Sequence, residues 1–139
     1  MKVLIVHYHP FELWQAPAWL LDRLRKTFPQ MQWVHLPNYD RVPQEIPDTD
    51  VLIGWSIKPE QFRQAHKLKW IHSPAAGIHQ LMFPELIKSQ VVVTNSREVQ
   101  GVVVAEHAVA VVLALAKRIP QSVRYQFRKE WAQDRKSVV

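Results

Sequence analysis

Short apolar runs alternate with amphipathic or polar stretches along this chain. Lys2 to Val6, Met31 to Leu36, Val51 to Trp55, Trp70 to His72 and Val91 to Thr94 are compact runs with β-branched members. That pattern suits strands buried on both faces. Between the first two runs, Trp19, Leu20, Leu24 and Phe28 recur at helical spacing while Asp22, Arg23, Arg25 and Lys26 take the other side. Pro17 suits the first turn of that helix and Pro29 stops it. Residues 37–50, rich in Pro and Asp, read as loop. Pro59 to His66 predicts a short helix, and Ile78 to Ile87 a helix interrupted at Pro84. Strands alternating with helices argue for a parallel sheet with helices on both faces. Five strands at this spacing fit a flavodoxin-like order.

The pattern changes near residues 96–101. Residues 102–116 are apolar at 13 of 15 positions, which predicts a long helix without a polar stripe. A surface helix carries such a stripe, so this one is expected to be buried all round, against a second domain or another subunit. The expected division is therefore a flavodoxin-like α/β domain over residues 1–100 and an interdomain helical segment over 101–139.

Composition narrows the class. An apolar fraction of 47% excludes a disordered chain. The absence of cysteine excludes disulfides and thiolate metal sites and leaves a reducing cytoplasm as the natural setting. The apolar start is broken by His7, Tyr8 and His9, too early for a signal peptide. Residues 102–116 include Glu106 and His107 and fall short of the roughly 20 residues of a membrane span. Of the net charge of +6, residues 117–139 hold most, with seven Lys or Arg against two acids. These bases (Lys117, Arg118, Arg124, Arg128, Lys129, Arg135, Lys136) are scattered among apolar residues, as on a solvated helix face, and no nucleic-acid or membrane partner is expected.

Ligands of open α/β sheets sit outside the carboxyl ends of the strands. The loops at 7–13, 56–59, 73–79 and 95–101 qualify. Pro74-Ala75-Ala76-Gly77 has small side chains that leave backbone N–H groups uncovered before a predicted helix N-terminus, a nest for a carboxylate or other anion. An ordinary turn needing glycine torsions is the competing account. Arg97 to Gly101 is a polar loop in which the Gln100 amide could face a ligand, and Lys58 is a further candidate cation. His7 and His9 would lie on one side of a strand, as two metal ligands need, but no carboxylate cluster supports a metal site. Glu106 and His107 are adjacent on a helix and share no face, a poor acid–base pair. The six tryptophans are scattered, as packing residues are.

Trp70-Ile71-His72-Ser73-Pro74-Ala75-Ala76-Gly77, the run ending Thr94-Asn95, and the helix opening Val104-Ala105-Glu106-His107 occur here in an order that resembles the D-isomer-specific 2-hydroxyacid dehydrogenases. The likeness is strongest over residues 68–131. It implies the N-terminal substrate-binding domain of an NAD(P)-dependent oxidoreductase acting on 2-oxo or 2-hydroxy acids such as glyoxylate or hydroxypyruvate. It implies backbone amides at Ala76 and Gly77, beside Ala75, holding the substrate carboxylate, with Gln100 in the cleft wall where many members carry Asn. It also implies a long helix that crosses to the dinucleotide domain and packs in a homodimer through residues 102–116. The family's catalytic Arg, Glu and His and its G-x-G-x-x-G fingerprint lie in a dinucleotide domain expected beyond Val139. The only glycines here are Gly54, Gly77 and Gly101, so NAD or NADP would be bound mainly elsewhere and no catalytic residue is expected in this chain. A stand-alone carboxylate-binding module and a basic interaction domain are the other classes kept open.

Overall fold

The computed structural model describes residues 1–132; Arg135 and Lys136 of the basic segment, and the end of the 101–139 segment, lie outside the described residues. Five parallel strands form one sheet in the order β2-β1-β3-β4-β5: β1 (Lys2–Val6), β2 (Gln32–His35), β3 (Val51–Gly54), β4 (Trp70–Ser73) and β5 (Val92–Asn95). This is the flavodoxin-like order that the spacing predicts. Every residue of β1 is buried, because it pairs with β2 on one side and β3 on the other.

Strand alternation sorts the side chains into two cores. On one face Leu4, Val6, Leu52 and Ile71 meet Val42, Ile46, Leu68, Leu81 and Leu86. Four short segments supply most of those partners: α2 (Val42–Glu45) with the 3-10 turn Ile46–Asp48, α3 (Pro59–Phe62), the 3-10 turn His79–Leu81, and α4 (Pro84–Ile87). On the other face Val3, Ile5 and Val51 lie against Leu21 and Leu24 of α1 (Ala18–Thr27). Each fully buried Leu or Ile contributes about 1.5–3 kcal/mol. Over β4 and β5 this second face stays open, with Trp70 41% and Val92 58% exposed.

Three details differ from the sequence reading. Residues 37–50 are not plain loop, since Val42 and Ile46 stand four apart and both reach the core from short helical turns. Pro43 and Pro47 occupy first-turn positions where their missing N–H costs nothing. Likewise Pro17 precedes α1 in extended conformation instead of opening it. The Ile78–Ile87 stretch is two separate pieces, because Pro84 starts a helix there.

Lys2 anchors the start of the sheet to α2. Its ammonium donates to the Glu45 carboxylate and carbonyl (2.8 and 2.9 Å) and to Asp48, while its backbone N–H donates to Asp50. Burial works against the charge, but the hydrogen bonds to Asp48 and Glu45 outweigh it and raise the Lys2 pKa.

From Glu98 onward the chain forms a second compact unit, separate from Met1–Arg97. It holds α5 (Gly101–Ala116) and α6 (Ile119–Phe127), joined through Arg118 in the left-handed region at φ 53°. No α5 residue is buried, although the helix is apolar almost throughout; Val102 is 71% and Leu115 65% exposed. The covering expected from its composition is therefore not supplied by the described residues. No helix among them is long and apolar enough to cross a membrane.

Gly54 on β3 faces Val6 on β1, and a Cβ there would stand 3.1 Å from the Val6 carbonyl oxygen. Both atoms belong to central strands and cannot give way. Gly54→Ala is expected to destabilise by about 1–3 kcal/mol, as overpacking does. Chemical denaturation of the variant beside the parent checks this, and an unchanged midpoint would contradict it.

Candidate functional site

The carboxyl ends of β1, β3, β4 and β5 open onto one edge of the sheet, where the chain order reverses between β1 and β3. Doubly wound folds leave a crevice at this point. β4 ends at Ser73, which is fully buried, and the chain turns sharply through Pro74, Ala75 and Ala76.

That turn is braced from β5. The Asn95 side-chain amide donates to the Ala76 carbonyl, and the Ser96 N–H donates to the carbonyls of Ser73 and Ala75 at 3.1 and 3.2 Å. The Ala75 N–H is taken up by the Ser73 hydroxyl at 3.3 Å. The N–H groups of Ala76 and Gly77 have no acceptor among the described residues, and both residues are exposed. Adjacent backbone donors in a braced turn, open to solvent, are one element of an anion-binding turn.

Two expectations about this turn need revising. Gly77 does not have a positive φ, and a Cβ there would meet only the His79 ring, at an ordinary 3.6 Å. Glycine is thus not demanded by backbone torsion. Nor does a helix dipole back the turn, because the next element along the chain is the three-residue turn His79–Leu81. Any anion would be held by the N–H groups themselves.

Gln100 caps α5 in the second unit; it is exposed, and its carbonyl accepts the Val104 N–H at 3.0 Å. Lys58 precedes α3, its N–H held by the Gln61 side chain at 3.0 Å. Glu106 and His107 lie on exposed turns of α5. His7 and His9 pack against rings: His7 lies 5.0 Å from Trp55, and His9 lies 4.5 Å from Trp14 and accepts the Phe11 N–H. Among the described residues no group of three or more His, Cys, Asp or Glu is placed to hold a metal.

Sequence reasoning missed what the open sheet face carries. His72 and Thr94 are register partners on β4 and β5, and the Thr94 hydroxyl sits 3.0 Å from His72 Nδ1 while accepting the Trp70 indole N–H at 2.8 Å. The matched alternation of the two strands was the available signal.

Comparison with known proteins adds the family. No protein-family model matches the chain. Over 96 residues it is 30% identical to the D-3-phosphoglycerate dehydrogenase of Methanocaldococcus jannaschii, a match covering 67% of this chain and 18% of that protein. Its fold matches a D-lactate dehydrogenase of Treponema pallidum (TM-score 0.77, 15% identity, 100% of this chain and 42% of that one). It also matches a D-isomer-specific 2-hydroxyacid dehydrogenase family protein of Aeromonas salmonicida (TM-score 0.72, 19% identity, 96% and 41%). The chain is a relative of the D-isomer-specific 2-hydroxyacid dehydrogenases. A third family structure, the D-lactate dehydrogenase of Aquifex aeolicus with NAD and lactic acid, matches at TM-score 0.75 with 18% identity, over 95% of this chain and 39% of that one. The chain thus spans less than half the length of these family members.

A dinucleotide does not fit the sheet described here. The β1–α1 connection, residues 7–17, contains no glycine, and Gly54, Gly77 and Gly101 are dispersed. No turn comparable to a pyrophosphate-binding fingerprint can be assembled from them.

Burial, then the charges that His35 and His72 would carry, hold the His7 imidazole below its ordinary pKa. Burial does the same for His72. The unfolded chain therefore takes up these protons first as pH falls, and the fold loses stability below about pH 6.5. Asp48 and Asp50 are held low chiefly by hydrogen bonds from Lys2, so their contribution is lost only as pH falls below the ordinary carboxylate range. Tm is expected to drop between about pH 7.5 and pH 5.5, and less in His7→Gln or His72→Gln. A Tm constant across that interval would contradict the assignment.

Proposed function

We propose that this chain is the substrate-binding part of an NAD(P)-dependent 2-hydroxyacid dehydrogenase, with the Ala76–Gly77 turn holding the substrate carboxylate. The observation that carries the reading is the pair of braced N–H groups, without an acceptor among the described residues, at the carboxyl end of β4. The relation to a D-3-phosphoglycerate dehydrogenase and the fold shared with D-lactate dehydrogenases support it.

In this reading the described residues bind and orient the acid; they supply neither the hydride nor the proton. His72 is engaged by Thr94, His79 lies past the turn and His107 is on α5, and this reading assigns catalysis to none of them. Nicotinamide, as NAD or NADP, would bring the reducing equivalent and would be held by residues other than those of this sheet. The apolar α5 would pack against further protein, including a second copy in a homodimer.

Titrating the chain with D-lactate, followed through the Ala76 and Gly77 amide signals, tests the cradle. Gly77→Val should fold, since its torsions are unstrained, and should weaken binding about tenfold or more, or ~1.4 kcal/mol. Ala76→Ser, which keeps the N–H in place, should bind nearly as the parent does. Undiminished affinity in Gly77→Val would place the carboxylate elsewhere.

Val112 and Leu113 are 63% and 55% exposed on α5. An apolar surface of this extent drives association. The chain should sediment as a dimer or larger, and Val112→Glu or Leu113→Glu should shift it toward monomer. A clean monomer at high concentration would count against the homodimer.

A further inference from the structure

At the carboxyl ends of β1 and β3 stands a cluster of aromatic rings that the carboxylate reading does not use. Residues 7–16 form a hoop closed by the Ala16 N–H on the His7 carbonyl at 3.1 Å. The Gln15 side chain braces it from within, donating to the His9 carbonyl at 2.8 Å. A short 3-10 turn, Glu12–Trp14, holds its tip.

This hoop presents rings. His9 lies 5.4 Å from Phe11 and 4.5 Å from Trp14, and Trp55 from the end of β3 lies 6.4 Å from Trp14 and 5.0 Å from His7. Phe11 and Trp14 nonetheless stay 68% and 52% exposed. The buried Trp55 indole N–H has no acceptor among the described residues. The cluster fills the β1/β3 switch point, where this topology places its ligand.

Ring cluster and cradle are mechanically joined. The Gln80 side chain, three residues beyond Gly77, donates to the Trp55 carbonyl at 2.7 Å. β3 and β4 are neighbours, so the ring-bearing end of β3 and the turn after β4 lie at the same edge of the sheet, where the group on the second carbon of a bound acid would project.

Charge selects among the possible groups. Residues 7–16 and 73–80 contain no Lys or Arg, Glu12 adds a negative charge, and the connections after β3 and β5 contribute one base each, Lys58 and Arg97. A phosphate or second carboxylate lying against the hoop would find no Lys or Arg on the hoop or the turn to neutralise it. Phe11, Trp14 and Trp55 give the wall its apolar ring surface, and His7, against Trp55, is held toward its neutral form chiefly by burial. Aromatic rings take up another flat ring by offset or edge-on contact, at centroid spacings of roughly 4.5–7 Å.

Resting on the carboxylate reading, we propose that His9, Phe11, Trp14 and Trp55 form the specificity wall of the site and select a 2-oxo or 2-hydroxy acid with an aryl side chain. The test uses the full chain labelled with ¹⁵N, titrated separately with D-phenyllactate, D-lactate and D-3-phosphoglycerate. D-phenyllactate should bind about tenfold or more tighter than D-lactate, the gain expected from covering one phenyl ring. It should shift the Trp14 and Trp55 indole signals while those of Trp33 and Trp70 stay in place.

Phe11→Ala and Trp14→Ala should each weaken D-phenyllactate binding far more than D-lactate binding, and so erase most of that preference. Their unshifted Trp33 and Trp70 signals would certify the fold. Equal affinity for D-phenyllactate and D-lactate, with Gly77→Val still weakening both, would overturn the wall and leave the cradle standing. So would tighter binding of D-3-phosphoglycerate. Saturable binding of none of the acids would overturn the cradle, and the wall with it.

Discussion

β1 sits between β2 and β3 with all five of its residues buried, and its Val6 is paired with Gly54, where an added Cβ would crowd the Val6 carbonyl. The rest of the α/β unit is arranged around that pairing. Because β2 lies to one side of β1 and β3 to the other, the connections that leave them diverge. A crevice is left at their carboxyl ends, and β4 and β5 extend it. Both candidate features, the Ala76–Gly77 turn and the ring-bearing hoop, hang from this one edge.

The site is built from backbone and rings, with few charges. Asn95 and Ser73 spend their polar atoms on the carbonyl of Ala76 and the N–H of Ala75, which fixes the turn and leaves the next two N–H groups without an acceptor among the described residues. Preorganised donors of this kind need no rearrangement when a ligand arrives. The hoop is similarly self-contained, closed by its own hydrogen bonds, so its exposed rings are held by the loop itself.

Two apolar surfaces remain uncovered, for different reasons. The outer half of the sheet, at Trp70 and Val92, is open because α1 reaches only β1, β2 and β3 on that face. The helix α5 is open because its composition is that of a helix packed on every side, while the described residues bury none of it. An extended apolar surface of this sort is costly in water and marks places where further protein is bound.

Much of this architecture was legible in the residue pattern. Five compact apolar runs alternating with helical stretches point to a parallel sheet packed by helices, and their predicted limits fall within a residue or two of the observed strands. Periodicity reports burial, and burial is what strands at the centre of a sheet impose. It does not report torsion or hydrogen bonding. Hence the unstrained φ of Gly77 and the capture of the Ala75 N–H by Ser73 emerged only in three dimensions. The ring cluster was hidden for a related reason. Trp14 and Trp55 are 41 positions apart and read as scattered packing residues, and only the parallel pairing of β1 with β3 brings them to the same corner. Local sequence determined the elements; the tertiary pairing decided which side chains and which open N–H groups face one another, because those meetings depend on contacts between segments distant along the chain.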